Sequence, residues 1–588
     1  MRVSLKIVGS SGQGIDSIGE IMAKALKRSG YCVFGYREYP SLIKGGHASY
    51  QLDVSDEHIE STEVMTNIVI ALNHHGLEQN LTDLKPGGIL IHSTPDWKFS
   101  KEDKQRIERL SLQIIELPIE TVLKTLGAKP ILGNVLLSAF LWSVLGQEIG
   151  ALKKMVGEKF AKKKDLLELN MRCIEEGFAM RKEFPALSVA MPKPQKKWQK
   201  QLLITGSKAM GLGAVQAGVR LFAGYPMTPS SPLLNFIAAI QNVTGMVIKQ
   251  AEDEITAAQI VSGAMFMGTR ALTATSGGGF DLMSETLSLN GIIENPTVFV
   301  LAQRPGPATG LPTWTAQADL LMAVHTAHGE FARLVMSVSN SDDAFSLMNE
   351  AFNFAEEFQI SVIILTDKQI AEALYTQEPY DLKITKIKRG LLVTDPEKLK
   401  KLKSSDRYAA NAKNGISPRW LPGAEAATYV AQGDEHNADG TVDETAANAK
   451  AQLEKRMKKV EALKTALPEP ELFGSQEPEV LLVGWGSTKS VILDVLKSDE
   501  LKDKKIGYLH FTHLWPLKTE TFMTLAKSTK KIILIEGNYQ GQLGQLLKQE
   551  TGIHITDKIL KYDGRPFFYD ELLHQISKHF VETTRGGV

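Results

Sequence analysis

The chain reads as an α/β protein made of several doubly wound parallel-sheet domains, and three observations predict this. Around the stretch Ala223–Gly310, four short apolar runs (Arg220–Gly224, Met246–Lys249, Arg270–Ala274 and Thr297–Ala302) each lead into a polar or glycine-rich turn. The first three turns open onto residues with helical spacing, the alternation of a parallel sheet with crossover helices. The same strand-then-turn pattern recurs near the start, at Val3–Val8, and near the end, at Val480–Thr488.

Size and composition bound the reading. At 588 residues the chain exceeds a single core, and about three to four domains are expected. With 67 basic and 67 acidic residues the formal net charge is zero, which excludes a broad basic field for nucleic acid or anionic membrane. No apolar run is long enough to span a bilayer and the N-terminus lacks a secretory apolar core, so a cytoplasmic protein is expected. Cys32 and Cys173 are the only cysteines. A typical iron–sulfur cluster takes four thiolates, so the chain is not expected to hold one by itself; both cysteines read as small buried hydrophobes.

Residues 1–190 form the first α/β domain. Val3–Val8 has a buried-strand pattern, Gly9-Ser-Ser-Gly-Gln-Gly14 is a tight turn, and Ile15–Leu26 has helical spacing; Asn67–Leu72, Gly88–His92 and Leu112–Glu116 are further strands. The spacing of Gly9, Gly12 and Gly14 is not the dinucleotide fingerprint. Their amides at a helix start could receive a phosphate, or the glycines could serve turn geometry alone. Lys44-Gly-Gly-His-Ala-Ser49 is a second polar turn, in which His47 is either a loop histidine or a ligand. Ile131–Ala179 is helical, and the Pro- and Lys-rich run 191–198 reads as a solvated linker.

Residues 199–385 form the second domain. Its four turns, Tyr225–Ser231, Ala251–Glu254, Ser276–Gly279 and Arg304–Pro307, belong at the carboxyl edge of a doubly wound sheet, where such folds bind ligands. A hydroxyl, a carboxylate, a glycine cradle and a guanidinium then face one crevice. Ser231 and Pro232 read as N-cap and first helical residue. Ile255, Ala258, Ser262 and Met265 fall on one helical face, placing Glu254 at the helix mouth. Glu254 could serve the helix dipole alone, and Arg304 could be a loop anchor; as a planar fork it also suits a carboxylate. Strands follow at Ala332–Val338 and Ile360–Thr366. His325 and His328 have helical i, i+3 spacing, but no further ligands gather near them and no metal site is expected.

Residues 386–465 turn polar, with Arg407, Arg419 and His436 among turn residues and an Ala-, Glu- and Lys-rich helix at the end. A loop of that length is either functional or a solvated excursion. Residues 466–588 are again α/β, with a strand entering a glycine turn at Val480–Thr488 and strands at Ile506–Phe511 and Lys531–Glu536.

Four ordered motifs carry a resemblance. Tyr225-Pro-Met-Thr-Pro-Ser-Ser231, Ala251-Glu-Asp-Glu-Ile-Thr-Ala-Ala258, Thr273-Ala-Thr-Ser-Gly-Gly-Gly-Phe280 and Gln303-Arg-Pro-Gly-Pro-Ala-Thr-Gly-Leu-Pro-Thr313 resemble the α subunit of the 2-oxoacid:ferredoxin oxidoreductases. The first domain resembles the γ domain of that family, fused ahead of α, and the last resembles the transketolase C-terminal type. Met227 and Gly278 stand where many relatives carry Ile and Pro.

The resemblance implies a thiamine-diphosphate-binding, transketolase-like fold in the middle and C-terminal domains. It implies oxidative decarboxylation of a 2-oxoacid, with the acyl group passed to coenzyme A and electrons to ferredoxin. Glu254 is then the catalytic carboxylate, Thr228 and Arg304 bind the substrate carboxylate, and Tyr225, Pro226, Ser276 and Gly277 join Glu254 around the cofactor. Gly9, Gly12 and Gly14 fall on the coenzyme A side. A separate β subunit would bring the diphosphate site, Mg2+ and a 4Fe–4S cluster, in an (αβ)2 assembly. The 386–465 segment resembles the branch associated with 2-oxoglutarate, which makes Arg407, Arg419 and His436 candidates for a distal carboxylate. The alternatives are a pyruvate- or other 2-oxoacid-specific enzyme of the same family, a thiamine decarboxylase acting alone, and a non-enzymatic coenzyme A- or nucleotide-binding assembly subunit.

Overall fold

The computed structural model describes residues 1–42, 45–160, 164–382 and 386–581. Its strands are β1 (Arg2–Ser11), β2 (Cys32–Glu38), β3 (Gly45–Ser55), β4 (Thr66–Ala71), β5 (Leu84–His92), β6 (Gln113–Glu116), β7 (Leu202–Thr205), β8 (Leu221–Gly224), β9 (Val247–Gln250) and β10 (Ala271–Thr275). They continue with β11 (Thr297–Gln303), β12 (Arg333–Ser337), β13 (Ser361–Asp367), β14 (Leu374–Gln377), β15 (Glu471–Gly474), β16 (Val480–Trp485), β17 (Ile506–Phe511), β18 (His513–Trp515), β19 (Lys531–Glu536) and β20 (Asp557–Leu560). Two compact units emerge: Met1–Ile204 with Ala373–Pro379 and Phe568–Val588, and Thr205–Glu372 with Tyr380–Phe567. Among the described residues no single helix is long and apolar enough to cross a membrane.

The first unit is built on a sheet of order β6-β5-β4-β1-β3-β2-β14-β7. β6, β5, β4 and β1 run parallel, while β3 lies antiparallel between β1 and β2. The helix Gly133–Val144 is buried almost all round, with Phe140 and Trp142 in the core, as its lack of a polar face dictates.

Three sequence expectations need correction here. The tight turn does not begin at Gly9: β1 pairs with β3 as far as Ser11, and the reversal is confined to Gly12 (φ 94) and Gly14 (φ 87), a left-handed region that glycine enters at little cost. The polar turn at 44–49 is a strand from Gly45 onward for the same reason; Lys44 lies outside the described residues. The run 191–198 is not simply solvated. Its lysines are exposed, but Trp198 is only 4% exposed and its indole N–H donates to the Asp56 carbonyl at 3.0 Å. The large apolar ring outweighs its charged neighbours.

The second unit holds two sheets, β18-β12-β13-β11-β10-β8-β9 and β15-β17-β16-β19-β20. In the first of these β9, β8, β10, β11, β13 and β12 are all parallel and only β18 is reversed. β11 and β13 are buried at every residue, which is what a parallel sheet covered on both faces requires. One apolar cluster joins the two sheets through Phe280, Phe299, Val335, Trp485, Leu509 and Leu543. β8 pairs with β9 on one side and β10 on the other. The chain therefore reverses its direction of winding at β8, and a crevice opens beside its carboxyl end.

The 386–465 segment is not a solvated excursion. Lys455 and Lys459, four apart on the helix Ala446–Ala466, both pair with buried Glu294, Lys459 at 2.6 Å. Burial alone would raise the Glu294 pKa, but the two ammoniums hold its carboxyl well below the usual range. Glu356 likewise takes Arg270 and Arg389 at 3.0 Å and Arg419 at 3.7 Å. Glu294 and Glu356 stand just before β11 and β13, so these ionic anchors fasten the segment to the amino edge of the sheet.

Candidate active site

Each turn after β8, β9, β10 and β11 places one kind of chemistry. After β8, Tyr225–Ser230 leads into the helix Ser231–Thr244, with Pro232 in its first turn. The expected cap is displaced by one residue and does not act through its side chain: Ser230 holds the cap position, and its hydroxyl donates to the Met227 carbonyl at 2.6 Å. After β9, Asp253 is the N-cap of Glu254–Phe266, accepting from Thr256 N at 2.7 Å. Glu252 is exposed, so of three adjacent acids Glu254 alone is turned inward, 4% exposed. The buried face is Glu254, Ala257, Ala258, Val261, Ser262 and Met265. Ile255, expected on that face, points outward because Glu254 takes the inward position of the first turn, while Ala258, Ser262 and Met265 lie on the face as expected.

The glycine cradle after β10 is the first turn of a short helix, Gly277–Leu282. A Cβ on Gly279 would stand 2.7 Å from both Cγ and Oε1 of Glu254, and one on Gly277 would stand 3.2 Å from Oδ2 of Asp319. The glycines are therefore what lets two carboxyl groups approach the backbone. After β11, the Arg304 guanidinium donates to the Thr228 carbonyl at 2.6 Å. The Ser230 hydroxyl also reaches the Ala274 carbonyl at 3.4 Å, and Thr275 Oγ1 lies 3.8 Å from Met227 Sδ. Thr228, Glu254, Ser276, Gly277 and Arg304 thus share the carboxyl edge of one sheet. Tyr225, at 40% exposure, and Pro226 lie on its open side.

Two polar atoms there stand out. Glu254 Oε1 and Ser276 Oγ are buried without a hydrogen-bond partner, which in a folded protein marks a place where a ligand is to be met. Asp319, which sequence reasoning missed, also carries a buried unpartnered oxygen, Oδ2. Burial first, and Asp281 second, push its carboxyl up to about 7 against the pull of Arg304. The only sequence signal at Asp319 was an acid ahead of Leu320–His325, which reads as a helix cap; no cap bond forms.

Other candidates lie elsewhere. Arg407 donates to the Ile293 and Glu294 carbonyls at 2.9 and 3.1 Å, and Arg419 to the Met265 carbonyl at 3.1 Å. His436 is buried edge-on against Tyr408, its Nδ1 3.0 Å from the Asp434 carbonyl. Arg407 and Arg419 grip the amino edge of the sheet, a strand length or roughly 20 Å from the crevice; the three residues do not form a distal carboxylate site. His328 meets Glu285 at 2.8 Å on the surface, and among the described residues no group of three or more His, Cys, Asp or Glu could hold a metal. Gly9, Gly12 and Gly14 belong to the first unit. There Gly14 ends the loop as the N-cap of Ile15–Ser29, while Gln13 Oε1 accepts from Ser10 N at 2.7 Å. His47 is a half-buried strand residue, Nε2 3.4 Å from Asn80 Nδ2, its pKa lowered by burial.

Comparison with known proteins decides what the crevice belongs to. A family model described as "Pyruvate flavodoxin/ferredoxin oxidoreductase, thiamine diP-bdg" matches residues 212–460, and one described as "Pyruvate ferredoxin/flavodoxin oxidoreductase" matches residues 4–180. The 2-oxoacid:ferredoxin oxidoreductase subunit alpha of a Sulfolobus species is 31% identical over 98% of this chain and 97% of its own length. The chain belongs to the 2-oxoacid:ferredoxin oxidoreductase α-subunit family. As a family member it is an enzyme subunit with a thiamine-diphosphate-binding domain, and that domain contains Thr228, Glu254 and Arg304. The 2-oxoglutarate oxidoreductase subunit KorA of Mycobacterium tuberculosis is 27% identical over 97% of the chain and 90% of its own. The solved 2-oxoglutarate:ferredoxin oxidoreductase from Magnetococcus marinus, with 2-oxoglutarate, coenzyme A and succinyl-CoA bound, matches with a TM-score of 0.90 at 28% identity, over 98% of this chain and 99% of that one.

Proposed function

We propose that this chain forms the α-type half of an enzyme that oxidatively decarboxylates 2-oxoglutarate to succinyl-CoA and passes the electrons to ferredoxin, a reaction that can also run in reverse. The observation that carries the reading is the buried, unpartnered Oε1 of Glu254 at the switch point of the sheet. Thiamine diphosphate fits there: Glu254 and Ser276 offer unsatisfied polar atoms, and beside Gly278 the space a side chain would fill is open. When bound, thiamine diphosphate supplies a carbanion nucleophile and an electron sink for the loss of carbon dioxide.

The chain's own residues do the rest. Glu254, buried at the helix mouth, would hold a proton for a ring nitrogen of the cofactor, and Tyr225, Pro226, Ser276 and Gly277 would join it around that group. Arg304, fixed through the Thr228 carbonyl, has the remainder of its fork for the substrate carboxylate, joined by Thr228. A β subunit in an (αβ)2 assembly completes the site with the diphosphate contacts, Mg2+ and a 4Fe–4S cluster; two cysteines in this chain are too few for a four-thiolate cluster. Residues 1–190 act as the γ-type domain on the coenzyme A side. There the amides around Gly12 and Gly14 open onto a 15-residue helix that no side chain caps. Residues 191–198 join it to the thiamine domain, expected at 199–385 but without β7 and β14, which belong to the first unit's sheet; 386–465 form the segment anchored to the amino edge, and 466–588 hold the transketolase C-terminal-like domain, except the stretch from Phe568, which belongs to the first unit. The protein works in the cytoplasm. Support for 2-oxoglutarate comes from the solved relative of TM-score 0.90.

The test is to purify the chain with its β-type partner and measure coenzyme A-dependent ferredoxin reduction with 2-oxoglutarate and with pyruvate. A kcat/KM at least about tenfold higher for 2-oxoglutarate is expected. A preference for pyruvate would overturn the substrate assignment. Coenzyme A binding without turnover of any 2-oxoacid would make the chain an assembly subunit instead.

A further inference from the structure

Asp319 has no part in the reading above, yet it is built into the crevice. Its backbone N–H donates to Gln303 Oε1 at 3.0 Å, and Gln303 in turn donates to the Thr366 carbonyl at 3.3 Å. The segment that carries it is held from the last sheet. Gln317 Nε2 donates to the Trp485 carbonyl, Gly537 N to Gln317 Oε1 and Gln542 Nε2 to the Ala318 carbonyl, each at 2.7 Å. Asn538 Nδ2 adds a bond to the Gln317 carbonyl at 3.0 Å, and Leu321 N donates to Gln542 Oε1 at 3.0 Å. A side chain on so firmly tied a segment keeps its aim. That aim is over Gly277, with Oδ2 buried and unpartnered.

We infer that Asp319 is a substrate-binding residue, its protonated carboxyl donating a hydrogen bond to the 2-oxoacid carboxylate that Arg304 holds. This rests on the reading that Arg304 receives that carboxylate. Two charged groups act on Asp319: Asp281 on the exposed side of Gly277–Leu282, and Arg304 after β11. An ionised Asp319 would compete with the substrate for Arg304 and repel it; a neutral one adds a donor. Because burial and Asp281 bring the carboxyl to about 7, substrate capture is favoured below that pH and weakens above it. The arriving carboxylate pushes the proton further onto Asp319.

The assembled α/β enzyme, with saturating coenzyme A and ferredoxin, is assayed for kcat/KM toward 2-oxoglutarate from about pH 6 to about pH 9, bracketing an ionisation near neutrality. Wild type should lose about tenfold per pH unit above roughly pH 7. Asp319→Asn, neutral at every pH and still a donor, should lose that limb while keeping the low-pH KM; Asp319→Ala should raise KM throughout. In an infrared difference spectrum taken on 2-oxoglutarate binding, a protonated-carboxyl C=O band should be present in wild type and missing in Asp319→Asn. An unchanged limb in Asp319→Asn, or an unchanged band, overturns the inference. If Arg304→Ala still raises KM, that failure belongs to Asp319 alone; a wild-type complex that turns over no 2-oxoacid, or an Arg304→Ala complex with unchanged KM, brings down the parent reading with it.

Discussion

Glu252, Asp253 and Glu254 are adjacent acids with three different fates, and hydrogen bonding separates them. Asp253 is taken up by Thr256 N, Glu252 stays in water, and Glu254 is left buried with one oxygen unmet. That division is partly legible in the sequence, since an acid three residues before Thr256 is an ordinary cap signal. The burial of Glu254 is not, because it depends on Gly279, far along the chain. Exchange of Glu254 for Gln preserves shape and removes the ionisable proton. It should lower decarboxylation by roughly 10²–10⁴-fold with the thermal midpoint of the assembled enzyme nearly unchanged, as single-turnover kinetics and calorimetry would show. Arg304→Ala should raise KM for 2-oxoacids by roughly 10–100-fold, the cost of about 1.5–3 kcal/mol in charge-assisted bonding, and move kcat less. Initial-rate kinetics with two different 2-oxoacids check that the effect follows the shared carboxylate.

Among elements, the turns after β8, β9, β10 and β11 were visible in sequence because each is local: an apolar run and a break, followed in the first three by a helical stripe. Their convergence on one edge follows from parallel pairing, which the alternating pattern also announces. What local pattern does not announce is how closely two elements meet. The helix Gly277–Leu282 comes close enough to Glu254–Phe266 that a Cβ at Gly279 would stand 2.7 Å from the Glu254 carboxylate oxygen. The same Cβ would stand closer still to Thr275 Oγ1, so Gly279→Ala should displace both Thr275 and Glu254, costing about 1–3 kcal/mol of stability along with most of the activity. Gly278→Ala, whose Cβ meets nothing within 4 Å, is the control expected to retain both, measured by thermal melts and turnover.

At the scale of the whole chain, the sequence misled most where its charges were buried. The 386–465 segment looks polar and solvated residue by residue, and only partners outside it, such as Glu356 for Arg419 and Glu294, more than a hundred positions away, for Lys455, show that its cations are anchors. The same long range hid Asp319, whose neighbours come from β11, the glycine turn and the last sheet. Glu294→Ala would leave two buried ammoniums unpaired and should destabilise the second unit by roughly 3–5 kcal/mol. The wild-type contribution has a defined pH dependence. Glu294 is held below its unfolded pKa, so its stabilisation is complete above about pH 5 and drains away as pH falls through the unfolded value near about 4.3 and below. Melting temperatures of wild type and Glu294→Ala should differ by a constant amount from about pH 7 to about pH 5 and start to converge only below about pH 4.

The grip of Gln317 and Gln542 across the two sheets of the second unit also bears on how such enzymes can be recombined. A chimera that imports a relative's C-terminal hundred or so residues inherits a foreign socket for the strap at 315–321, so the strap should be transplanted together with the socket. Hybrids that divide the two at an otherwise convenient junction should fold and still bind poorly, their fault lying in a lock parted from its key.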